Sequence, residues 1–273
     1  MTMLAEYALV PDIFDTASYS SPQVCQARLE LLREPLLQEA LVRDLRNGGW
    51  SDCIKMFERR QPYTKELMGK LVKQNRLRKS PSIGTDNPED GLGWCKEAVA
   101  SNKQDPLTGV ITSSDTAAGF QDESCVASIE KLRNSQWWQQ RSSSIRLCRN
   151  TNDYLRHLRL ILGQANSIMF IDRMLDPTRP SYREFARLLL ATQREGISPL
   201  IEIHRVNYEK SRKNQRSNDE WERRFRECLE GLLKDNGITV HVFIWDDLHD
   251  RYLITDIIGI NLPNGFDIGR NPN

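Results

Sequence analysis

His249 and Arg251 stand two residues apart in the stretch Trp245-Asp246-Asp247-Leu248-His249-Asp250-Arg251-Tyr252-Leu253-Ile254-Thr255-Asp256. An imidazole offers a nitrogen that serves as nucleophile or general acid/base near neutral pH. A guanidinium offers a planar cationic fork that suits phosphate oxygens. An apolar run, 238–244, precedes the pair, and Ile257-Ile258-Gly259-Ile260 follows it, so 251–255 reads as a strand. Side chains two apart in a strand project to one face. The spacing therefore predicts an imidazole and a cation side by side at the start of a strand. The same residues also read as a polar strand end holding an Asp–Arg pair, with no chemistry attached.

The elements that must position this pair show an α/β alternation from Thr151 onward. Thr151 is placed to cap a helix carrying Tyr154, Leu155, Leu158, Ile161 and Leu162, closed by Gly163. Residues 167–171 form a short apolar run ending in Asp172, as a buried strand does. Ser181 with Glu184, and Ser217 with Glu220, are capping-box patterns that open two further amphipathic helices. Between them, 200–204 reads as a second strand, and 239–245 as a third, with His241 inside an apolar core strand. Strands alternating with amphipathic helices predict a mixed or parallel sheet covered on both faces.

Over roughly 151–269 the chain resembles the phospholipase D superfamily. His249-x-Arg251-x4-Asp256 is similar to that superfamily's H-x-K-x4-D motif, with Arg in place of Lys. The nearer likeness is to the phospholipase D-like C-terminal domain of MIT-domain proteins. There a His-Asp-Arg triplet is followed by a Gly-bearing turn and a Gly-x-Asp segment, as at Gly259 and Gly265-Phe266-Asp267-Ile268-Gly269 here. The resemblance implies a phospholipase D-like mixed sheet flanked by helices. It also implies metal-independent phosphodiester cleavage through a phosphohistidine at His249, with Arg251 holding the phosphoryl oxygens. Single-motif members build the site across a two-fold homodimer, which would bring His249 of each copy together. Related domains continue through a further strand beyond Gly269, so the resemblance implies either a truncated chain or an edge completed by another subunit. Two departures stand against the catalytic reading: Arg251 replaces Lys, and the Ser/Thr and Asn of the superfamily's following segment are missing. Relatives of the MIT-associated type bind lipid head groups, so a catalytically silent module that binds nucleic acid, phosphoinositide or a protein is the alternative.

Other residues are candidates for the same edge. Glu202 and His204 lie two apart at the end of a strand, and His204 is the second histidine that an intramolecular mechanism needs. Asp250 or Asp256 is placed to orient an imidazole. The following segment is basic, with Arg205, Lys210, Arg212, Lys213 and Arg216 against Glu209, which suits a polyanionic substrate and equally a solvated loop. A metal-dependent nuclease built on Asp172, Glu202 and His204 is a third reading; the first two readings need neither metal nor cofactor.

Composition narrows the class rather than the chemistry. The 273 residues are 39% hydrophobic and 27% charged with a net charge of +1, so any basic surface must be local. No apolar run approaches the ~18 residues of a membrane span. Six scattered cysteines form no C-x-x-C and read as reduced thiols of a cytoplasmic protein.

Ahead of the α/β region, 1–79 reads as helical, with irregular residues to 22, a helix over 24–46 interrupted by Pro35, and two more helical pieces. Its basic end (Lys70, Lys73, Arg76, Arg78, Lys79) reads as a solvated face or as a nucleic-acid contact. Residues 80–123 are rich in breakers and read as linker and loop, and 124–273 as the phospholipase D-like domain. Trp137-Trp138 reads as a packing pair rather than a base-stacking one. The expectation is a nuclease-like phosphodiesterase with a helical adaptor, acting on nucleic acid as a homodimer or within a larger defence or effector assembly. That last element is analogy at the level of fold.

Overall fold

The computed structural model describes residues 3–59, 61–84, 86–209 and 214–269. The chain divides into two compact units, Met3–Ser144 and Ile145–Asn273.

The first unit is an α/β domain, not a helical region followed by a linker. Its strands are β1 (Ala5–Leu9), β2 (Ala40–Asp44), β3 (Leu77–Lys79), β4 (Gly109–Thr112) and β5 (Val126–Ser128). They form one sheet in the order β3-β2-β1-β4-β5, and every pairing is parallel. The connecting helices are α1 (Pro22–Gln38), α2 (Gly49–Glu58), α3 (Pro62–Lys73), α4 (Gly91–Gln104) and the short α5 (Ser114–Ala117), with α6 (Gln136–Gln139) after the last strand. All residues of β1, β2 and β4 are buried, so these strands carry no period-two alternation. That is why the sequence reading missed them. Ala40-Leu41-Val42 continues the apolar spacing of α1, and β4 offers only Val110-Ile111 between breakers. Pro35 lies in the last turn of α1, which runs on to Gln38 despite the bond to Leu31 that a proline cannot make.

Charge inside this sheet is matched by charge. Glu6 on β1 accepts from Arg43 Nη2 at 2.8 Å and from Arg78 Nη1 at 2.9 Å, with Glu6 1% and Arg43 0% exposed. Asp105 closes the group, 2.8 Å from Arg78. Two members of the basic cluster expected as a solvated or nucleic-acid face, Arg76 and Arg78, are used inside the fold, while Lys73 and Lys79 are exposed. Arg78 serves Glu6, buried Arg76 donates to the Ala40 carbonyl, and Lys70 pairs with Glu66. Trp137 and Trp138 pack on Tyr7 of this unit's own sheet, with centroids 5.7 and 5.6 Å away. Gly109 makes that possible, since a Cβ there would lie 2.6 Å from the Trp137 ring.

The second unit carries α7 (Thr151–Gln164), β6 (Ser167–Ile171), α8 (Phe185–Leu190), β7 (Leu200–Val206), α9 (Asn218–Asp235), β8 (Val240–Trp245), β9 (Tyr252–Thr255) and β10 (Gly259–Asn261). The alternation read from Thr151 onward is present, but 126–128 is β5 of the first unit, so the boundary falls at 144/145 rather than 123/124. The sheet order is β10-β9-β6-β7-β8, with β6, β7 and β8 parallel and β9 and β10 antiparallel to their neighbours. Caps are partly as read. Ser217 Oγ accepts from Glu220 N, while Asn150 rather than Thr151 caps α7 and Ser181 makes no cap.

Only one face of this sheet is covered, not both. Ile168, Phe170, Ile201, Ile203, Leu253 and Ile260 are buried on one side. Their neighbours along the strands, Met169, Ile171, Glu202, His204, Tyr252 and Ile254, are half-buried or exposed. The third strand is likewise not a core strand. β8 is the sheet's edge, and His241 is exposed.

Candidate functional site

The turn ahead of β9 places His249 and Arg251, and it places them apart. The strand begins only at Tyr252, so the two-residue alternation that would align them does not operate. The His249 side chain is 74% exposed and lies 3.4 Å from Asp247 Oδ2. Arg251 turns inward. Its Nε donates to Asp172 Oδ1 at 3.2 Å and its Nη1 to the Pro263 carbonyl at 2.7 Å.

Asp172 is the centre of that inward cluster and is fully buried. Besides Arg251, it accepts from the Tyr182 hydroxyl at 3.0 Å, the Phe266 N–H at 2.9 Å and the Met174 N–H at 2.9 Å. Burial, reinforced by this carboxylate, pushes the Tyr182 phenol upward, so it remains a donor. Gly265 has φ +60°, and a Cβ there would lie 2.1 Å from Asp172 Oδ2 and 2.6 Å from Arg251 Cδ. The loop can close over the ion pair only because this residue is glycine. Behind it, Phe266 packs on Phe170 and Phe185 at 5.2 and 5.7 Å. Tyr154, pushed up to about 12 by burial, donates to the Gly265 carbonyl. The Gly265–Gly269 segment thus fastens Arg251 into the fold.

Asp256 lies at the other end of β9. It accepts from the backbone N–H of Asn166 and Ser167 at 2.9 and 3.3 Å, holding the start of β6. Four extended residues separate it from Arg251, about 13–17 Å of strand. It ties β6 to β9.

His204 stands on the uncovered face in an aromatic group. Its ring stacks on Phe243 with centroids 4.8 Å apart and an 8° interplanar angle. Trp245 Nε1 donates to His204 Nδ1 at 3.1 Å, and His204 Nε2 lies 3.1 Å from Glu202 Oε2. An indole N–H only donates, so Nδ1 is the acceptor and Nε2 carries the proton that goes to Glu202. Both ring nitrogens are engaged within the sheet. His204 belongs to a platform and is not paired with His249. Sequence reading singled out His204 but missed Phe243 and Trp245. The signal was the alternation His241-x-Phe243-x-Trp245, which places three rings on one side of a strand.

Arg205 faces the opposite side and is 1% exposed. It donates to the carbonyls of Val206, Leu175 and Tyr208, and its Cζ lies 3.2 Å above the Trp221 ring. Burial pushes its guanidinium down to about 9, which leaves it charged at neutral pH. It is a structural cation rather than a substrate contact. Lys210, Arg212 and Lys213 lie outside the described residues. Arg216, at the far end of that loop, pairs with Glu209 and Glu220. Among the described residues, no group of three or more His, Cys, Asp or Glu is placed to hold a metal. Asp172 is saturated by donors on the buried side, while Glu202 and His204 face the other.

In the first unit, the strand order reverses between β1 and β4, where open α/β sheets gather ligands. Asp12 occupies that point and accepts from Thr112 Oγ1 at 3.0 Å and Ser113 Oγ at 2.6 Å. It fastens β4 to the segment after β1.

No family model matches the chain, and no curated protein is significantly similar to it. Among the described residues, no helix is long and apolar enough to cross a membrane.

Proposed function

We propose that the second unit is a phospholipase D-like module that binds a protein partner on its open sheet face and does not cleave phosphodiesters. One observation supports this reading: the motif's cation, Arg251, is bound to Asp172 and the Pro263 carbonyl. The open face supplies the recognition chemistry. It presents Leu200, Phe243, Trp245 and Ile254, which are 47, 40, 48 and 38% exposed, around the His204–Glu202 pair. An exposed apolar group rimmed by polar residues marks an interaction surface. Asp246, Asp247 and Asp250, all exposed, follow Trp245 and repel a polyanion, which favours a protein over nucleic acid or a phosphoinositide.

The test places a photo-crosslinking phenylalanine analogue at Phe243, with Met56 of the first unit as an exposed control. Discrete nuclease-resistant protein adducts at Phe243 alone are expected. Adducts to nucleic acid or to phosphoinositide vesicles instead would overturn the choice of partner. A second reading, phosphodiester cleavage through His249, is favoured by that imidazole's exposure and its carboxylate neighbour Asp247. Cleavage of labelled DNA or RNA in EDTA, lost in His249→Ala, would establish it and sink the silent-module reading.

A further inference from the structure

Among the described residues, the edge strand β8 lacks the charge and proline that commonly keep sheet edges apart. It pairs with β7 on one side, and its sequence, Val-His-Val-Phe-Ile-Trp, contains no Lys, Arg, Asp, Glu or Pro. Natural edges are normally blunted by charge, proline, a bulge or a cover. Beside it, a groove of about 770 Å³ runs between α9 and β8. Trp221, Phe225, Leu229 and Leu233 form its helical wall, and Val242, 37% exposed, lies on its floor. Along its rim stand Glu222, Arg226, Glu230 and Lys234, one per turn and alternating in sign; within one chain Arg226 pairs with Glu222 and Glu230, and these exposed pairs can be exchanged for pairs to a second copy.

We propose that a second copy of this chain seats on β8, antiparallel, about a two-fold axis through Val242. The charge pattern selects the occupant. Two α9 helices related by a two-fold at the level of residue 228 oppose Glu222 to Lys234 of the second copy, and Arg226 to Glu230 of the second copy. Each rim is thus complementary to its own image, as an isologous interface requires. The strand obeys the same symmetry. A two-fold perpendicular to the sheet keeps groove-side residues opposite groove-side residues. Centring on Val242 sets it against itself and Val240 against Ile244, with His241 against Phe243 on the open face. β-Branched and aromatic pairs of this kind stabilise cross-strand contacts. Shifting the centre to Phe243 would set Asp246 against Val240, an unpaired charge beside an apolar residue. In the proposed register the two grooves join into one apolar trough closed by four ion pairs. This interface also brings Phe243 against His241 of the second copy, so the crosslink at Phe243 separates the two readings: an adduct to another copy of this chain supports the dimer, and an adduct to a different protein supports the open-face partner.

Sedimentation of the full chain across micromolar concentrations tests it, with two charge-uniform variants. One is Arg226→Glu with Lys234→Glu; the other is Glu222→Lys with Glu230→Arg. The wild type is expected at the mass of two chains, each variant alone at one, and an equimolar mixture of the variants at two. Circular dichroism checks that each variant folds. Should either fail to fold, Val242→Cys in a Cys148→Ser, Cys228→Ser background takes its place. It is expected to form a disulfide-linked dimer on mild oxidation, while Val240→Cys does not, because only residue 242 meets its own image. A monomeric wild type, variants that stay dimeric alone, a mixture that stays monomeric, or equal crosslinking at 240 and 242 each overturn the proposal.

Discussion

The two sheets of this chain place polar residues in opposite situations. In the first unit, β1, β2 and β4 are buried at every position, and Glu6 is tolerated only because Arg43 and Arg78 meet it. In the second, one face is packed and the other carries Glu202, His204, Phe243 and Trp245 in reach of water. A polar side chain enclosed on both sides is committed to the fold. One on an uncovered face can be changed without unfolding the protein and so is available for recognition. Arg251 and His249 repeat the contrast within one turn: the cation is tied to buried Asp172 and the Pro263 carbonyl, while the imidazole is exposed beside Asp247.

Substitutions sharpen or break this contrast. Glu6→Ala leaves Arg43 buried without its main counter-ion and is expected to cost about 3–5 kcal/mol, read as a lower urea midpoint. A loss below 1 kcal/mol would mean the ion group is not what holds β1 to β2. Asp172→Ala strands the Tyr182 hydroxyl and the Phe266 N–H and is expected to cost about 2–3 kcal/mol. It also releases Arg251, so a gain of phosphate affinity in the destabilised protein, measured by calorimetry, would show the motif's cation to be latent rather than lost. Gly109→Ala drives a methyl into Trp137 and is expected to cost about 1–3 kcal/mol, with a changed indole emission reporting the displaced ring. Ile254→Lys and Trp245→Ala, on the open face, are expected to move stability by only about 0.5 kcal/mol either way. If either unfolds the second unit, that face is part of a core and the comparison fails.

Sequence patterns were legible where burial was one-sided. β6 and β7 stand out as short runs between helices that have their own stripes and glycine stops, and that α/β succession is present, although Ser167–Ile171 reads as buried on both faces and is covered on one. The first unit was opaque for the converse reason. Strands enclosed on both faces lose their alternation, so Ala40-Leu41-Val42 passed for the end of a helix and Ala5–Leu9 for an irregular arm. In the candidate site, the placement differs from the expectation. His249 and Arg251 share a side only if the strand begins before them, and it begins after.

The sequence by itself determined the local matters: the Ser217 cap of α9, the glycine turns, the β8 segment without charge, and the residues able to do chemistry. These depend on a few neighbouring residues. Tertiary structure alone decided whether each candidate was free to act. Asp172, Pro263 and Gly265 are 79, 12 and 14 residues from Arg251 along the chain, yet together they hold it in place. Which face of a sheet stays open depends on where every helix packs, and that is a property of the whole fold.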